Sequence, residues 1–221
     1  MSVDAGAPMP RREQNKLDKR ERIVAATREL LTSDGYDAMT IRGIATRAQV
    51  GVGTIFLYAS TKAELLLMVL GSEHADALAA GVAATSGSAG ARAGAMALLT
   101  PLLEWGFGRG AAMLAYQREV LFGEPSERYR GDSIDLEGRS EAELSALFAR
   151  HGVSNSETRA RMLLNSLQFE LSRALLTGST LAALLATARG QLELVLGGSA
   201  DSHPTLTTPT TDDTIERQDN D

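Results

Sequence analysis

Residues 40–65, TIRGIATRAQVGVGTIFLYASTKAEL, are the stretch from which the fold of this chain is predicted. Apolar residues recur at helical spacing over residues 41–48, so a short helix with one buried face is expected there. Thr40 is suited to cap that helix, because its hydroxyl can accept a hydrogen bond from a free backbone N–H. A turn at residues 49–51 leads into a second short helix that ends at Tyr58. Two short helices joined by so tight a turn indicate a helix-turn-helix, whose second helix lies in the DNA major groove.

A second helix-start signal follows directly. Thr61 and Glu64 are spaced as in a capping box, which predicts a long helix over residues 62–84. Upstream, residues 18–33 carry the apolar spacing of an amphipathic helix. Three helices around one small core are therefore expected to form an N-terminal domain over residues 18–65.

This segment resembles the DNA-binding part of TetR-type transcriptional regulators. The resemblance covers the first third of the chain, and the matching residues are Thr40, Ile41, Arg42, Ile44, Ala45, Ala48, Val50, Gly53, Thr54, Ile55, Phe56, Tyr58, Lys62, Glu64 and Leu65. No strand pattern or internal repeat is found, so the fold class is predicted to be all-α with about nine helices. The resemblance implies an N-terminal helix-turn-helix domain followed by a helical ligand-binding and dimerisation domain.

Three positions depart from the pattern of that family. Gln49 replaces the turn glycine, so this residue must reach its turn conformation without glycine's freedom. Phe56 stands where a tyrosine often donates its hydroxyl to a DNA phosphate, and Ala59 stands where a large aromatic side chain usually packs. The motif survives these changes, but one phosphate contact of the family is lost with the tyrosine hydroxyl.

Composition excludes several classes of protein. Apolar residues make up 43% of the 221 residues, so a sizeable core can be buried. The chain has no cysteine, which excludes disulfides, thiolate catalysis and cysteine-ligated zinc. No run of about 18 apolar residues occurs and the N-terminus lacks a signal-peptide core, so no membrane partner and a cytoplasmic location are expected.

The net charge of −6 argues against a nucleic-acid partner until its distribution is considered. Residues 11–62 contain 10 Lys and Arg against 6 Asp and Glu, a net of +4, so the rest of the chain carries −10. A DNA-binding protein needs positive charge only on the face that contacts DNA. The asymmetry supports a mildly basic head on an acidic body.

The remaining segments divide the chain into an arm, a body and a tail. Residues 1–17 are predicted to be a flexible basic arm, which either is a solvated tail or adds phosphate or minor-groove contacts. Residues 66–198 are predicted to form the helical effector-binding and dimerisation body, and residues 199–221 a disordered acidic tail. Within the body, helices are expected over residues 91–105, 111–122, 140–152, 155–177 and 180–196, with a mobile loop over residues 123–139. Ser140 with Glu143, and Ser154 with Glu157, supply the capping-box signals.

An enzyme is the main rival class, and the sequence gives it little support. The glycines at 106, 108 and 110 resemble a phosphate loop, but no strand precedes them and the full fingerprint is missing. Glu73, His74 and Asp76 could suggest a metal site, yet neighbouring positions do not share one helix face, so a solvated surface is predicted. No catalytic residue, metal or cofactor is predicted.

Ten residues are predicted to contact a double-stranded DNA operator. They are Thr40, Arg42, Arg47, Val52, Gly53, Thr54, Phe56, Leu57, Tyr58 and Lys62. Residues 50–58 contain no side chain that makes bidentate base contacts, so readout is expected to rely on apolar contacts and DNA shape. Thr40 and Lys62 are expected to bind phosphates. The alternative for Arg47 is a solvated side chain, and the alternative for Tyr58 is a place in the core.

The last two helices are apolar over so much of their surface that one chain cannot bury all of it. A homodimer is therefore predicted, in keeping with two-fold assembly on DNA, while a thicker monomeric core is the alternative. The predicted interface residues are Leu163, Leu167, Leu171, Leu181, Leu184, Leu185, Ala188 and Leu192. A second apolar stripe on the first of these helices, residues 155–177, consists of Met162, Phe169 and Leu176.

The family resemblance implies a small-molecule effector, expected to be partly apolar, bound within the body. The predicted lining residues are Trp105, Phe107, Met113, Tyr116, Phe122, Met162, Asn165 and Phe169, with ordinary core packing as the alternative for each. Asn165 and Gln168 are the polar candidates, since buried amides need partners. The predicted function is a repressor that binds a palindromic operator as a dimer and is released by a small molecule. The alternative is a helical interaction protein whose helix-turn-helix no longer binds DNA.

Overall fold

The computed structural model describes residues 11–197, and this range contains ten α-helices and no strand. In chain order the helices are α1 (Arg11–Ser33), α2 (Gly35–Ala38), α3 (Ile41–Arg47), α4 (Val52–Ile55), α5 (Lys62–Ala84), α6 (Ala91–Gly108), α7 (Ala111–Phe122), α8 (Arg128–Arg150), α9 (Ser156–Thr177) and α10 (Leu181–Gly197). The predicted all-α class is confirmed. The predicted acidic tail lies outside the described residues.

The N-terminal helices pack around one small apolar core. Ile23 of α1, Ile44 of α3 and Ile55 of α4 are fully buried together with the start of α5. Helix α1 begins at Arg11 rather than at residue 18, so residues 11–17 of the predicted flexible arm are helical. Residues 1–10 of that arm lie outside the described range.

Helix α5 is the centre of the molecule, because it packs against α1, α6, α7 and α8. Thr61 Oγ1 accepts a hydrogen bond from the backbone N–H of Glu64 at 2.9 Å, which confirms the predicted start of the helix. Gly81 allows α6 to approach closely, since a Cβ atom there would lie 2.4 Å from the carbonyl oxygen of Leu98. Within the described range, α5 is the one helix long and apolar enough to cross a membrane, but 61% of that window is buried inside the fold. Burial of this kind is typical of a core helix.

The prediction of a mobile loop over residues 123–139 is wrong for most of that range. Helix α8 begins at Arg128, and Ser140 lies in its middle, where its hydroxyl donates to the Leu136 carbonyl at 3.1 Å. Ser140 therefore caps no helix. The buried residues Ser133, Leu136, Ser140 and Leu144 recur at helical spacing and face the core. Two of these four are serines, which hid the buried face in the sequence.

Two further boundaries differ from the prediction. Helix α6 continues through Gly106 to Gly108, and the expected break falls at Arg109 and Gly110 instead. Helix α9 begins after Asn155, a left-handed residue with φ 51° whose side chain makes no capping bond. The box predicted from Ser154 and Glu157 is therefore not the start of the helix.

Candidate nucleic-acid interface and body cavity

The helix-turn-helix forms as predicted from its local signals. Thr40 Oγ1 accepts a hydrogen bond from the Gly43 backbone N–H at 3.0 Å and so caps α3. Gln49 takes up the left-handed turn conformation, with φ 52°, that a glycine would adopt without strain. The next residue closes the turn, because the Val50 N–H donates to the Ala45 carbonyl at 3.0 Å.

The second helix of the motif presents an apolar surface to solvent. Helix α4 is shorter than predicted and ends at Ile55, which is fully buried, and residues 56–58 continue as turns. Val52, Phe56 and Leu57 are 39%, 52% and 81% exposed. We call these three residues the recognition face. Their exposure keeps them available for contacts with a DNA groove.

The two arginines of α3 differ in their surroundings. Arg42 is exposed, and its side chain has no hydrogen-bond or ion-pair partner among residues 11–197. Arg47 forms an ion pair with Glu29 of α1 at 2.6 Å, with both side chains about half exposed. Exposed pairs of this kind are weak, so Arg47 can exchange its partner at little cost.

Two predicted DNA contacts, Tyr58 and Lys62, are bonded within the head. The Tyr58 hydroxyl donates to the Lys16 carbonyl at 2.9 Å, so its proton is used to attach α1. Lys62 Nζ donates to the carbonyls of Tyr36 and Asp37 at 3.0 and 3.2 Å and lies 4.4 Å from the centre of the Tyr36 ring. An ammonium group has three donors, so one remains for a phosphate. The sequence could not reveal these contacts, because they come from distant segments.

The head is fastened to the body where α5 begins. Glu64 accepts hydrogen bonds from the Ser60 backbone N–H at 2.7 Å and from the Arg128 backbone N–H of α8 at 2.9 Å. Burial raises the pKa of the Glu64 carboxyl, but these hydrogen bonds outweigh it and hold the pKa below its ordinary value. Beside it, Thr61 Oγ1 donates to Glu127 at 2.7 Å. The carboxylate of Glu64 thus ties the helix-turn-helix to α8.

A second connection between head and body centres on Glu73 of α5. One of its carboxylate oxygens lies 2.6 Å from Nε of Arg28 on α1, and the other lies 2.8 Å from Nε of Arg109. Trp105 Nε1 donates to the same carboxylate at 3.3 Å. Glu73 is buried, so the prediction of a solvated surface at this position is wrong. We call these four residues the Glu73 network.

Trp105 also forms the wall of a body cavity with a volume of about 80 Å³. The predicted residues Trp105, Met113 and Tyr116 line it, as does Gln168. The other predicted residues do not line it: Phe107, Phe122, Met162, Asn165 and Phe169. Phe122, Met162 and Phe169 are 82%, 63% and 69% exposed, so these three assignments to a buried pocket are wrong. Periodicity finds apolar residues, but it does not say which side of a helix turns inward.

The polar lining of the cavity was largely missed from the sequence; the missed residues are His74, Gln117, Glu137 and Ser140. His74 and Tyr116 are almost fully buried, yet His74 Nδ1 and the Tyr116 hydroxyl have no hydrogen-bond partner. Burial, followed by the charge of Arg139, lowers the pKa of His74 to about 4, so this imidazole is neutral at pH 7. His74 lies four residues from Leu70 and from Leu78, which are both buried, and that spacing was the available signal.

The exposure of the predicted interface residues also differs from the prediction. Six of the eight predicted interface residues are buried within the single chain: Leu163, Leu167, Leu171, Leu184, Ala188 and Leu192. They face the body core, because the regular leucine stripe of α9 packs against α8 and α10. Met162, Phe169 and Leu176 are instead 63%, 69% and 73% exposed. We call these three residues the α9 stripe.

Comparisons with known proteins agree with the geometry of the head. The family model described as "Bacterial regulatory proteins, tetR family" matches residues 23–69. The HTH-type transcriptional repressor KstR of Mycobacterium tuberculosis is 41% identical over 56 residues, which are 25% of this chain and 26% of that protein. The sequence match thus spans about a quarter of the relative's length and lies in this chain's N-terminal part.

Solved structures resemble the whole described fold. A TetR transcriptional regulator from Rhodococcus sp. RHA1 aligns with a TM-score of 0.65 at 16% identity, covering 84% of this chain and 100% of that one. The regulator FadR from Bacillus subtilis, solved in complex with stearoyl-CoA, aligns with a TM-score of 0.62 at 15% identity, covering 82% and 100%. Residues 23–69 thus match the tetR family model in sequence, and the described residues share the fold of solved TetR regulators.

Proposed function

We propose that this protein is a transcriptional repressor that binds a palindromic DNA operator as a homodimer and releases it when a small molecule occupies the body cavity. The observation that carries the proposal is the exposed recognition face on a helix-turn-helix that also carries Arg42, whose side chain has no partner among residues 11–197, in a head that matches the tetR family model. Apolar side chains on a helix-turn-helix suit thymine methyl groups, and a free guanidinium suits a phosphate or a guanine edge. KstR is a repressor, which supports repression rather than activation by this protein.

Dimerisation would place two heads on successive major grooves. The α9 stripe repeats every seven residues along a 22-residue helix, so its three side chains lie on one line pointing away from the core. An apolar line of this kind on each of two copies forms a two-fold symmetric contact. The heads of a dimer then read the two halves of a palindrome.

The Glu73 network supplies the proposed connection between cavity and head. Trp105 contacts the cavity on one side and Glu73 on the other, and Glu73 holds Arg28 of the first helix of the head. A ligand that moves the Trp105 ring weakens the hydrogen bond from its indole to Glu73. The position of α1 relative to α5 then changes, and with it the spacing of the two heads.

The DNA-binding part of the proposal is tested by selection from random duplexes with the purified chain, followed by fluorescence anisotropy. We expect a palindromic consensus and a loss of affinity of roughly 10- to 100-fold in Leu57→Asp, because a carboxylate on the recognition face repels the groove. Leu121→Asp, which changes an exposed leucine at the end of α7, serves as the matched control. Selection without enrichment would favour the interaction protein with a degenerate helix-turn-helix.

The coupling is tested with Glu73→Gln. This variant removes the charge that holds Arg28 and Arg109, so we expect ligand-induced release from DNA to weaken at least about 10-fold while the ligand still binds. Glu193→Gln breaks the exposed ion pair between α10 and Arg92 of α6, away from the Glu73 network, and should leave release unchanged. Equal release in the wild type and in Glu73→Gln would remove the Glu73 network from the mechanism.

A further inference from the structure

The charges around the cavity limit what it can bind. Glu137 of α8 contributes a carboxylate to the lining, and none of the lining residues is Lys or Arg. The Glu137 side chain has no hydrogen bond or ion pair with any residue between 11 and 197, and burial raises its pKa. Arg139, whose charge reaches His74, lines the separate groove between α5 and α8 with Arg20. The cavity therefore has an acidic group in its wall and no basic side chain to pair with it.

The unpaired polar atoms of the cavity are acceptors as well. Ser140 Oγ donates to the Leu136 carbonyl at 3.1 Å, which leaves its oxygen to accept from His74 Nε2 at 3.3 Å in the tautomer that carries the proton on that nitrogen. His74 Nδ1 is then a bare acceptor, buried and without a partner. The Tyr116 hydroxyl, which lies near Ser133, also makes no hydrogen bond of normal geometry with the described residues. Together with Glu137, these atoms call for a ligand that donates several hydrogen bonds.

The rings of the cavity suit the same kind of ligand. The Trp105 ring stacks on His74 with centroids 4.9 Å apart, and Tyr116 meets Trp105 edge-on at 5.9 Å. Aromatic faces attract cations as well as apolar groups. A volume of about 80 Å³ gives room for roughly five water molecules, which corresponds to a single-ring molecule with a short side chain.

We propose that the effector of this protein is a compact organic cation, an ammonium group carried on an apolar body about the size of one aromatic ring. The proposal rests on the proposed function in taking this cavity as the effector site. The ammonium group pairs with Glu137, with His74 and Tyr116 beside it, and the apolar body packs against Trp105 and the leucines. Anionic ligands find no cation in the wall, so this cavity differs in kind from a site for stearoyl-CoA, the ligand in the FadR complex.

The chain contains one tryptophan, and that residue is Trp105, so intrinsic fluorescence reports directly on the cavity. The experiment titrates the full chain, without DNA, with benzylamine, benzyl alcohol and benzoate at pH 7.5. These probes share one ring and differ in charge. We expect benzylamine to bind at least about 10-fold more tightly than benzyl alcohol, since hydrogen bonds to a charged group are the stronger ones, and benzoate to bind most weakly.

Glu137→Gln keeps the shape of the side chain and removes its charge, so it should bring benzylamine to the level of benzyl alcohol. Glu143→Gln, an exposed position on the same helix, should preserve the preference of the wild type. The proposal is overturned if benzyl alcohol or benzoate binds as tightly as benzylamine, if no probe binds at millimolar concentration, or if the preference survives in Glu137→Gln. If Glu137→Gln fails to fold, the ranking of the three probes on the wild type decides whether the proposal stands.

The titration, read together with the DNA selection described above, distinguishes failure of this proposal from failure of the proposed function. Selective binding of benzylamine to a protein that enriches no DNA sequence would support the cation site and refute the repressor. Enrichment of a palindrome with no preference for the amine would leave the repressor standing and refute the cation site.

Discussion

The head and the body each expose a set of three apolar side chains, and their surroundings differ. The recognition face lies on a segment with a net charge of +4 that includes Arg42, an arginine without a partner in the described part of the chain. Near the α9 stripe, Arg161 pairs with Glu141 and Arg173 pairs with Glu170, so these charges are balanced within the chain. Exposed apolar residues beside free positive charge suit a polyanion, whereas a self-compensated surface suits a second copy of the same chain. Exposure alone does not distinguish a surface for DNA from a surface for a second copy, but the presence of an unpaired positive charge does.

The largest effect is expected when a charge is placed on the α9 stripe, because this tests whether the stripe is the dimer interface. Phe169→Glu should give a monomer, and affinity for a palindromic duplex should fall at least about 100-fold, because two linked heads bind far more tightly than one. Sedimentation velocity and fluorescence anisotropy measure the two effects. Ile134→Glu, at an exposed position on α8, is the control and should remain dimeric. A dimeric Phe169→Glu protein would show that the stripe is not the interface.

Acid should affect the body through His74. The folded state lowers the pKa of this imidazole from 6.5 to about 4, so folded protein binds fewer protons than unfolded protein between those values. Its contribution to stability is complete above pH 6.5 and is lost as the pH falls toward 4, by about 3 kcal/mol. Urea unfolding of wild type and His74→Gln at pH 7.5, 5.5 and 4.5 measures this loss. The wild type should lose more unfolding free energy than the variant. Equal losses in the two proteins would mean that the imidazole is hydrated in the folded state.

The smallest expected effect lies in the head, at Gln49. Its φ of 52° costs an ordinary side chain about 1 kcal/mol, which a glycine avoids. Gln49→Gly should therefore raise the melting temperature by a few degrees in a thermal denaturation followed by circular dichroism. Gly35→Ala provides the opposite control at a φ of 77°, and it should lower the melting temperature. A lower melting temperature for Gln49→Gly would mean that the glutamine side chain makes contacts that outweigh its strain.

The head could be predicted from sequence because its signals are local. Thr40 and Thr61 each bond to a backbone N–H three residues away, so spacing alone gave the helix starts. The body depends on contacts between segments far apart in the chain. Glu73 is buried because Arg28 and Arg109 reach it from positions that a single helix does not reveal.

The orientation of α9 shows the same limit. Its regular leucines and its three-residue stripe both have helical spacing, and periodicity could not say which set faces the core. In the structure Leu163, Leu167 and Leu171 face inward, which leaves Met162 and Phe169 outside. In α8, Ser133 and Ser140 occupy positions on a buried face, so the polar composition that predicted a loop concealed a helix.

The contact at Gly81 has a mechanical consequence for the head. Since the Leu98 carbonyl already occupies the space of a side chain there, α5 and α6 cannot slide past each other at this crossing. If α5 tilts about this crossing, Glu64 at the far end of the lever lies about 25 Å away at 1.5 Å per residue. A tilt of about 5° at the pivot carries the helix-turn-helix through about 2 Å, a displacement large enough to spoil hydrogen bonds to DNA.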